Sequence, residues 1–491
     1  MNFSALDGFI VLAYLVVITL IGFRIARRQK SSVDYFLGGH TLSWWAVGCS
    51  IVASETSTLT FISVPGLAYK GEYHFLQLAL GYLVGRLLVS VFFIPAYYRG
   101  KLQTAYEFLG RRFGVTLRRT TSVVFIVTRV LASGVRLFAA AIPVHILTGL
   151  SYPMSIFLVG SFTLFYTLVG GLRAVVTMDV LQLALYLAGA GASVLLMLHR
   201  MPGHLADVVA AATANGMNKF EVFNLSWGGS IRGFFSMPYT LLGGLLGGTF
   251  LTMASHGTDH LLVQRLLACR TVRDSQKALM LDAVLIVLQF AFFLFLGTCL
   301  YTFYHGVPYD QLGLASSDEI FPRFIIDTLP RGLAGLVIAG VLASAMGSLS
   351  SAINSLASSA SLDLFTSTRA GSELWKRNEL LFSRLFTVLW GCILMFGAML
   401  FTDSHSTVVE LGLRITSFTY GGLLGTFFLG LFDYRANETG ALTGFLAGVA
   451  AMSAVLALAD IDLTWHTMIG CLVTVAVGSS VSRLRSRGLR R

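Results

Sequence analysis

Eight charged residues lie inside long apolar stretches of this 491-residue sequence. They are four acids and four arginines: Glu55, Asp179, Asp282, Glu410, Arg86, Arg129, Arg136 and Arg414. A charge that faces lipid at the centre of a bilayer costs about 2.5–3.5 kcal/mol on insertion scales, so such residues face protein or a water-filled cavity. These eight residues are therefore the first candidates for binding an ion or a charged solute.

Two of the arginines, Arg129 and Arg136, are spaced to share one face of a helix. Seven residues return a helix to about the same face, about 10 Å further along its axis. A guanidinium near mid-membrane, as expected for Arg136, can hold a carboxylate through two parallel hydrogen bonds. The alternative is a structural ion pair with a neighbouring acid such as Glu55. Glu410 and Arg414 are four residues apart and can pair on their own helix.

The elements that carry these charges are membrane helices. Only 12% of the residues are charged, 55% are apolar, and the mean hydropathy is +0.75. A soluble chain carries about twice that share of charge, so the composition indicates a polytopic membrane protein. A spanning helix needs about 20 mostly apolar residues. Thirteen segments qualify: 6–24, 42–69, 74–98, 120–148, 152–170, 174–198, 236–258, 277–304, 331–362, 380–401, 406–432, 438–459 and 463–482.

The basic residues orient this array. Most of the 35 lysines and arginines fall in connections on one side if the N-terminus is placed outside. The positive-inside rule therefore predicts the N-terminus out and the C-terminus in. Because the net charge of +11 is spread over these loops, it does not indicate nucleic-acid binding. We expect a multi-pass protein of the cell membrane, the inner membrane in a bacterium, with no obligate protein partner.

Two segments carry signs of an interrupted helix. The second has a polar centre from Ala53 to Thr58, followed by Pro65-Gly66, and the seventh has a glycine-rich centre from Gly243 to Thr249. Transporter sites are often built from discontinuous helices at matching places in two halves, and these segments are five apart. Close helix packing is the alternative explanation for the glycines. The ninth segment, around Ala343 to Ser355, adds hydroxyl oxygens, which hard cations prefer.

Four motifs occur in order along nearly the whole length of the chain. They are Asp34 to Gly39 with Ser43 to Gly48, Gly170 to Gln182, Gly257-Thr258-Asp259 with Gln264-Arg265, and Met346 to Ser355. Together they give the chain a resemblance to the sodium:solute symporter family. Gly170 to Gln182 is similar to the family motif GG-x-x-AV-x-x-TD-x-x-Q, with Met178 where a threonine usually precedes the aspartate.

The resemblance implies an all-α, LeuT-like fold with a 5+5 inverted repeat, in which the first helix of each repeat is broken. On the segments above, an extra helix at 6–24 precedes a first repeat at 42–198 and a second repeat at 236–432. Two C-terminal helices follow at 438–482, all within a single transmembrane transporter domain. The implied activity is sodium-coupled symport of a small solute by alternating access.

The resemblance also implies a sodium site. Its ligands would be the carbonyl oxygens of Ala53, Thr56 and Ser344 and the hydroxyl of Ser348. The family usually has a second hydroxyl where this chain has Gly347. This departure leaves the strength of the site, and the choice between sodium and a proton, open at this point.

A second cation site found in some members would fall on Asp179, Ser350 and Ser351. The alternative for Asp179 is an acid that begins a helix near the inner interface. Proline-type members have an acid at the position of Glu55, so this residue is assigned to the binding region as well.

The solute site is expected at the centre of the bundle. Polar side chains on several segments describe a small pocket, and we predict that the solute contacts Glu55, Ser57, Thr60, Gln77, Arg136, Thr249 and Tyr420. An inward Arg136 favours a small organic anion or zwitterion, such as a carboxylate, an amino acid or a sialic-acid-like molecule. The alternatives are a neutral sugar or polyol with Arg136 structural, and a sensor without net transport. No metalloprotease motif, nucleophile elbow or paired carboxylates occur, so we do not expect an enzyme.

Overall fold

A computed structural model describes residues 4–26, 29–56, 58–216, 218–401 and 408–488 of the chain. Over these ranges the protein is α-helical, with no β-strand and one isolated bridge between Leu42 and Cys269. Three predicted positions lie outside what is described: Ser57 entirely, and the side chains of Glu410 and Arg414. The all-α prediction is confirmed.

The helices of the first half are α1 Ala5–Ala26, α2 Ser32–Leu37, α3 Trp44–Glu55, α4 Thr58–Lys70, α5 Leu76–Leu88, α6 Ile94–Arg99, α7 Ala105–Phe113, α8 Val115–Thr148, α9 Tyr152–Arg200, α10 Leu205–Ala212 and α11 Ile231–Ser236. Those of the second half are α12 Gly248–Gly257, α13 His260–Leu267, α14 Val272–Phe303, α15 Ile320–Thr328, α16 Leu333–Ser359, α17 Arg369–Arg377, α18 Glu379–Met399, α19 Val408–Phe432, α20 Glu438–Leu458 and α21 Leu463–Gly488. Three π-helical segments, Val89–Phe93, Gly243–Gly247 and Ala360–Phe365, continue neighbouring helices.

Within the described ranges, nine helices are long and apolar enough to cross a membrane, or ten if α3 and α4 form one bent span. The longest, α9, has 49 residues, about 74 Å at 1.5 Å per residue and more than twice the bilayer core. It is interrupted at Gly171, whose positive φ of 56° separates the predicted spans 152–170 and 174–198. A side chain there would also approach the Tyr35 carbonyl oxygen at 2.6 Å, so the break requires glycine.

The second predicted span is broken, as expected from its polar centre. Helix α3 ends at Glu55, Thr56 has an extended backbone, and the two halves of the span meet at an angle of 64°. The residues between Ala53 and Thr58 favour side-chain hydrogen bonds over a continuous helix, which accounts for the interruption here.

The seventh predicted span is different, and the expected break between Gly243 and Thr249 is wrong. Gly243–Gly247 is a π-helical turn that runs directly into α12, and the helix first ends at Gly257. Its glycines allow close packing on α5: a Cβ on Gly244 would lie 2.8 Å from the Cβ of Gln77. Close approach, rather than unwinding, is therefore the reason for these glycines.

Helix α16 forms the centre of the bundle and positions the site. Ninety-four per cent of the residues in its apolar stretch are buried inside the protein. It packs against α9, α8 and α1, and α3, the first half of the broken span, packs against α9, α14 and α16. The serine-rich stretch of α16 therefore faces the broken end of α3.

Candidate ion and solute site

The broken end of α3 places backbone oxygens in the protein interior. Helical hydrogen bonding stops after Glu55, so the last carbonyl groups of α3 are released from the helix ladder. Ala53 and Thr56, two predicted sodium ligands, are both buried at this end. The Thr56 hydroxyl donates to the Val52 carbonyl at 2.8 Å and accepts from Gln289 Nε2 at 2.5 Å. These bonds fix the backbone at the point where it leaves the helix.

The four serines predicted on α16 are buried and bond to their own helix. The hydroxyls of Ser344 and Ser348 donate to carbonyl oxygens three residues earlier, at 2.8 and 2.9 Å. Those of Ser350 and Ser351 both donate to the Gly347 carbonyl, at 3.0 and 2.6 Å. Because a hydroxyl that donates keeps its lone pairs, each of these oxygens can still accept a bond or contact a cation.

Three oxygens converge on the bare Cα of Gly347. A Cβ at this position would lie 2.8 Å from Gln182 Oε1, 3.2 Å from Asp179 Oδ1 and 3.8 Å from the Ala53 carbonyl oxygen. Gln182 Oε1 and Asp179 Oδ1 are buried and have no hydrogen-bond partner among the described residues. Burying such oxygens unsatisfied is costly, whereas a bound cation satisfies them. The residues present therefore fit a hard cation, and Gln182 is a ligand candidate that the sequence analysis missed.

The other oxygen of Asp179 is already engaged. Asp179 Oδ2 accepts from the Ser50 hydroxyl at 2.5 Å and from Arg265 Nη2 at 3.1 Å. The Arg265 guanidinium, which has no solvent exposure, also bonds to the Ser351 hydroxyl. The predicted second cation position on Asp179, Ser350 and Ser351 thus lies against a buried positive charge. In the sequence, Arg265 falls between two predicted spans, and only its place in the Gln-Arg motif indicates a special role.

Arg136 has a different environment from the other interior arginines. Arg86, Arg129 and Arg265 each form an ion pair with a carboxylate. Arg136 is mostly buried and forms no hydrogen bond or ion pair with any residue that the structure describes. It lies within electrostatic range of Glu55, but that carboxylate bonds instead to Arg86 Nη2 at 2.5 Å. The ion pair that sequence analysis offered as an alternative role for Arg136 is therefore absent from the described structure.

Most of the remaining predicted solute contacts already form hydrogen bonds within the protein. The Gln77 amide donates to the Tyr239 carbonyl at 2.9 Å, and the Thr249 hydroxyl donates to the Gly81 carbonyl at 3.1 Å, so both bonds hold neighbouring segments together. The Tyr420 hydroxyl donates to the carboxylate of Asp259 at 2.8 Å. Thr60 lies on α4 with a partly exposed side chain. The structure thus leaves the region of Arg136 as the best candidate for binding a charged solute.

A buried group of four ionisable side chains lies beside this region. Glu55 and Asp282 flank Arg86, and His256 approaches both carboxylates. The sequence indicated Arg86 and Asp282 only as isolated charges within spans. Their convergence depends on four separate helices and could not be predicted from spacing along the chain.

Comparison with known proteins identifies the fold family. The model of the sodium:solute symporter family matches residues 35–448, which is most of the chain. The chain belongs to the sodium:solute symporter family. The resemblance found in the sequence motifs is confirmed, and with it the prediction of a sodium-coupled, multi-pass membrane transporter rather than an enzyme.

Relatives are similar to this symporter over almost its full length. The sodium/sialic acid symporter NanT of Aliivibrio fischeri is 28% identical over 97% of this chain and 93% of its own. The sodium/sialic acid symporter SiaT of Proteus mirabilis is 26% identical, over 98% and 96%. A solved structure, the substrate-bound outward-open state of a sodium-coupled sialic acid symporter with a novel sodium site, superposes with a TM-score of 0.87. That structure is 25% identical and covers 98% of each chain.

Proposed function

We propose that this symporter imports a small organic anion of the sialic-acid type, whose carboxylate binds Arg136. The observation that carries the proposal is that this guanidinium has no acidic partner among the residues that the structure describes. A charge buried without a partner costs several kcal/mol, and each other described interior arginine avoids that cost through a protein carboxylate. A carboxylate on the solute supplies the missing partner, and two parallel hydrogen bonds fix its orientation.

The relatives support the same class of solute. The two named above are symporters of sialic acid, a sugar acid with one carboxylate. They match this chain from end to end, so the comparison concerns the whole transporter. A neutral sugar or polyol would leave Arg136 without its counter-charge, and nothing in the described structure favours that alternative.

For sodium we propose one site between α3 and α16. The ligands are the carbonyl oxygens of Ala53, Thr56 and Ser344, the hydroxyl of Ser348, and Asp179 Oδ1. Gln182 Oε1 supplies an oxygen in the place of the hydroxyl that Gly347 lacks, because both the amide and the carboxylate reach the space beside that glycine. A second cation at Ser350 and Ser351 would require Arg265 to leave Asp179, so we propose that this second position stays unused while the ion pair is intact.

The proposed cycle follows from where the ion binds. Sodium joins the broken end of α3 to α16 and holds the outward-open state until the solute is bound, and rearrangement of the bundle then releases both inside. One charge that moves through ~100 mV contributes ~2.3 kcal/mol, about 50-fold in accumulation. The thirteen spans, the outside N-terminus, the repeats at 42–198 and 236–432 and an inner-membrane location belong to this proposal.

The test is uptake of labelled sialic acid by proteoliposomes of the full chain under an inward sodium gradient. We expect unlabelled sialic acid to compete and its uncharged methyl ester to compete poorly. Arg136→Gln should weaken apparent affinity roughly 100-fold, as expected for a lost charged hydrogen-bonded pair of about 3 kcal/mol. Arg331→Gln, which removes an exposed arginine, is the matched control and should leave affinity unchanged.

A different outcome would favour the neutral-sugar alternative. If the methyl ester competes as well as the acid, and Arg136→Gln transports with unchanged affinity, the solute carboxylate is not recognised here. The sodium dependence of uptake would survive that result, so failure of the solute assignment can be distinguished from failure of the coupling.

A further inference from the structure

Four ionisable side chains from four helices meet inside the bundle beside the broken span. Glu55 comes from the end of α3, Arg86 from α5, His256 from α12 and Asp282 from α14. The side chains of Arg86, His256 and Asp282 have no solvent exposure, while that of Glu55 is 20% exposed. The sodium site proposed above does not use this group, which we call the Asp282 cluster.

Arg86 is shared between the two acids of the Asp282 cluster, and unequally. Its Nη2 donates to Glu55 Oε2 at 2.5 Å, while its Nε lies 3.2 Å from Asp282 Oδ2 without hydrogen-bonding geometry. His256 Nε2 lies 3.5 Å from Asp282 Oδ2 and 3.7 Å from Glu55 Oε2. The stronger bond of Arg86 therefore goes to Glu55, and Asp282 is left facing the imidazole.

The hydrogen bonds within the cluster are incomplete. Both carboxylate oxygens of Asp282, and Nε2 of His256, are buried without a hydrogen-bond partner among the described residues. On its other side, His256 Nδ1 lies 2.8 Å from the hydroxyl of Ser255 and 3.1 Å from that of Thr252. A protonated ring would donate through Nδ1 to a hydroxyl and through Nε2 to Asp282 Oδ2, which gives a partner to Nε2 and to one of the two unpaired carboxylate oxygens.

Charge neutrality leads to the same result. With His256 neutral, two carboxylates face one guanidinium, and the Asp282 cluster carries a net charge of −1 in a largely buried site. One added proton makes it neutral. Because an uncompensated buried charge costs several kcal/mol, the protonated form is the one that this environment stabilises.

A divalent metal fits the cluster less well. Ligand atoms of Glu55, His256 and Asp282 lie within 4.8 Å of one another, a spacing that metal sites also show. The Arg86 guanidinium already occupies the space between the two acids, however, and a divalent ion would leave a net charge of +1. The geometry and the charge therefore favour a proton.

Other titratable groups face the cluster from neighbouring elements, and none restores neutrality from a bonded position. The ring of Tyr82 stacks under Arg86 at 5.4 Å, and the Cys49 thiol lies near Asp282. Arg136 and Tyr420 face the Glu55 side. Arg136 is assigned above to the solute, so its charge is balanced elsewhere when the solute is bound.

We propose that His256 and Asp282 form a proton-binding site, which takes up one proton between the imidazole Nε2 and the carboxylate and couples it to the transport cycle. The partly exposed Glu55 marks the side from which water reaches the site. This second coupled ion is additional to sodium. Its binding does not depend on the identity of the solute, although the uptake experiment below uses the solute proposed above.

The proton itself can be detected without any solute. Infrared difference spectra of the full chain in lipid, titrated between about pH 5 and about pH 8, should contain a carboxyl or imidazolium component that disappears as pH rises. Asp282→Asn and His256→Gln should each remove that component. Asp318→Asn, which removes a half-buried acid bonded to Ser63 and remote from the cluster, is the matched control and should retain it.

Coupling is measured by sialic acid uptake at a fixed sodium gradient. An acidic exterior should accelerate uptake by the wild type and by Asp318→Asn, but not by His256→Gln. If the wild type has no titrating component that the two cluster variants remove, the site does not bind a proton and the proposal is wrong. If this infrared component is present but the rate of uptake does not respond to the proton gradient, the proton binds but is not coupled to transport. If sialic acid is not transported at all, the solute assignment fails while the infrared result still decides the proton site.

Discussion

A methyl group placed on Gly347 tests the proposed sodium ligands directly. In Gly347→Ala the new Cβ would lie 2.8 Å from Gln182 Oε1 and 3.2 Å from Asp179 Oδ1. The first contact is closer than carbon and oxygen tolerate and the second requires a small shift, and the amide is the end of a flexible side chain. We therefore expect Gln182 to move away from the space beside the glycine while the helices keep their positions.

The expected loss of sodium affinity follows from the number of ligands removed. Gly347→Ala takes away one neutral oxygen, that of Gln182, and crowds the charged oxygen of Asp179. A hydrogen bond or ligand contact that involves a charged group contributes about 1.5–3 kcal/mol. At 1.4 kcal/mol per tenfold, the affinity for sodium should fall roughly 10- to 100-fold.

The assay is sodium binding to the purified full chain, measured as the sodium concentration that half-protects against thermal unfolding. Gly347→Ser is the matched variant, because it introduces the same Cβ together with a hydroxyl that can replace the displaced amide oxygen. It should bind sodium within a few-fold of the wild type. Gln182→Leu, which removes the amide without altering the glycine, should resemble Gly347→Ala.

Two results would refute this reasoning. If Gly347→Ala binds sodium as tightly as the wild type, the oxygens beside the glycine are not ligands. If Gly347→Ser binds sodium as weakly as Gly347→Ala, the loss of affinity comes from crowding alone, and the Gln182 amide does not take the place of a hydroxyl.

Three further predictions concern the ion pairs and the glycines. Arg129→Met leaves the buried carboxylate of Asp259 unpaired and should lower stability by about 3–5 kcal/mol, and replacing both residues with apolar ones should recover most of the loss in thermal melts. Gly81→Ala would place a Cβ 2.4 Å from a carbonyl oxygen of the facing π-helical turn and should cost about 1–3 kcal/mol. Gly397→Ala, whose Cβ has its nearest neighbour at 4.0 Å, should be nearly neutral, and equal melting of the two variants would contradict the close-packing explanation. Because Arg265 occupies the second cation position, uptake should depend on sodium with a Hill coefficient near one, and a clearly sigmoidal dependence would show that the guanidinium leaves.

The sequence was informative wherever a local rule decides the structure. Apolar segment length indicated a membrane protein, because spanning helices must satisfy their backbone bonds internally. The polar centre from Ala53 to Thr58 predicted the break in the second span, since hydroxyl side chains compete for backbone bonds. The glycines from Gly243 to Gly247 allowed two explanations, and a single sequence could not choose because the deciding contacts come from another helix.

The partners of the interior charges could not be predicted for the same reason. Spacing along one helix placed Arg129 and Arg136 on a common face. Arg129 is paired with Asp259, which lies between α12 and α13, whereas Arg136 has no ion pair among the described residues. Arg265 falls between the predicted spans 236–258 and 277–304, which indicates a connection, but it is fully buried. Which acid meets which arginine is decided by helix packing, over separations of 31 to 196 residues along the chain.

The contacts of α3 suggest how the bound species communicate. Within six residues, Ser50 bonds to the carboxylate of Asp179, the Ala53 carbonyl borders the proposed sodium site, and Glu55 bonds to Arg86 of the Asp282 cluster. Any displacement of the broken end of α3 must therefore change all three environments together. A ligand shifts a conformational equilibrium only as far as it binds the two states differently. Since sodium and the proposed proton both have contacts that depend on the position of α3, each favours the α3 position in which its own ligands are complete, and the energetic coupling between them is reciprocal.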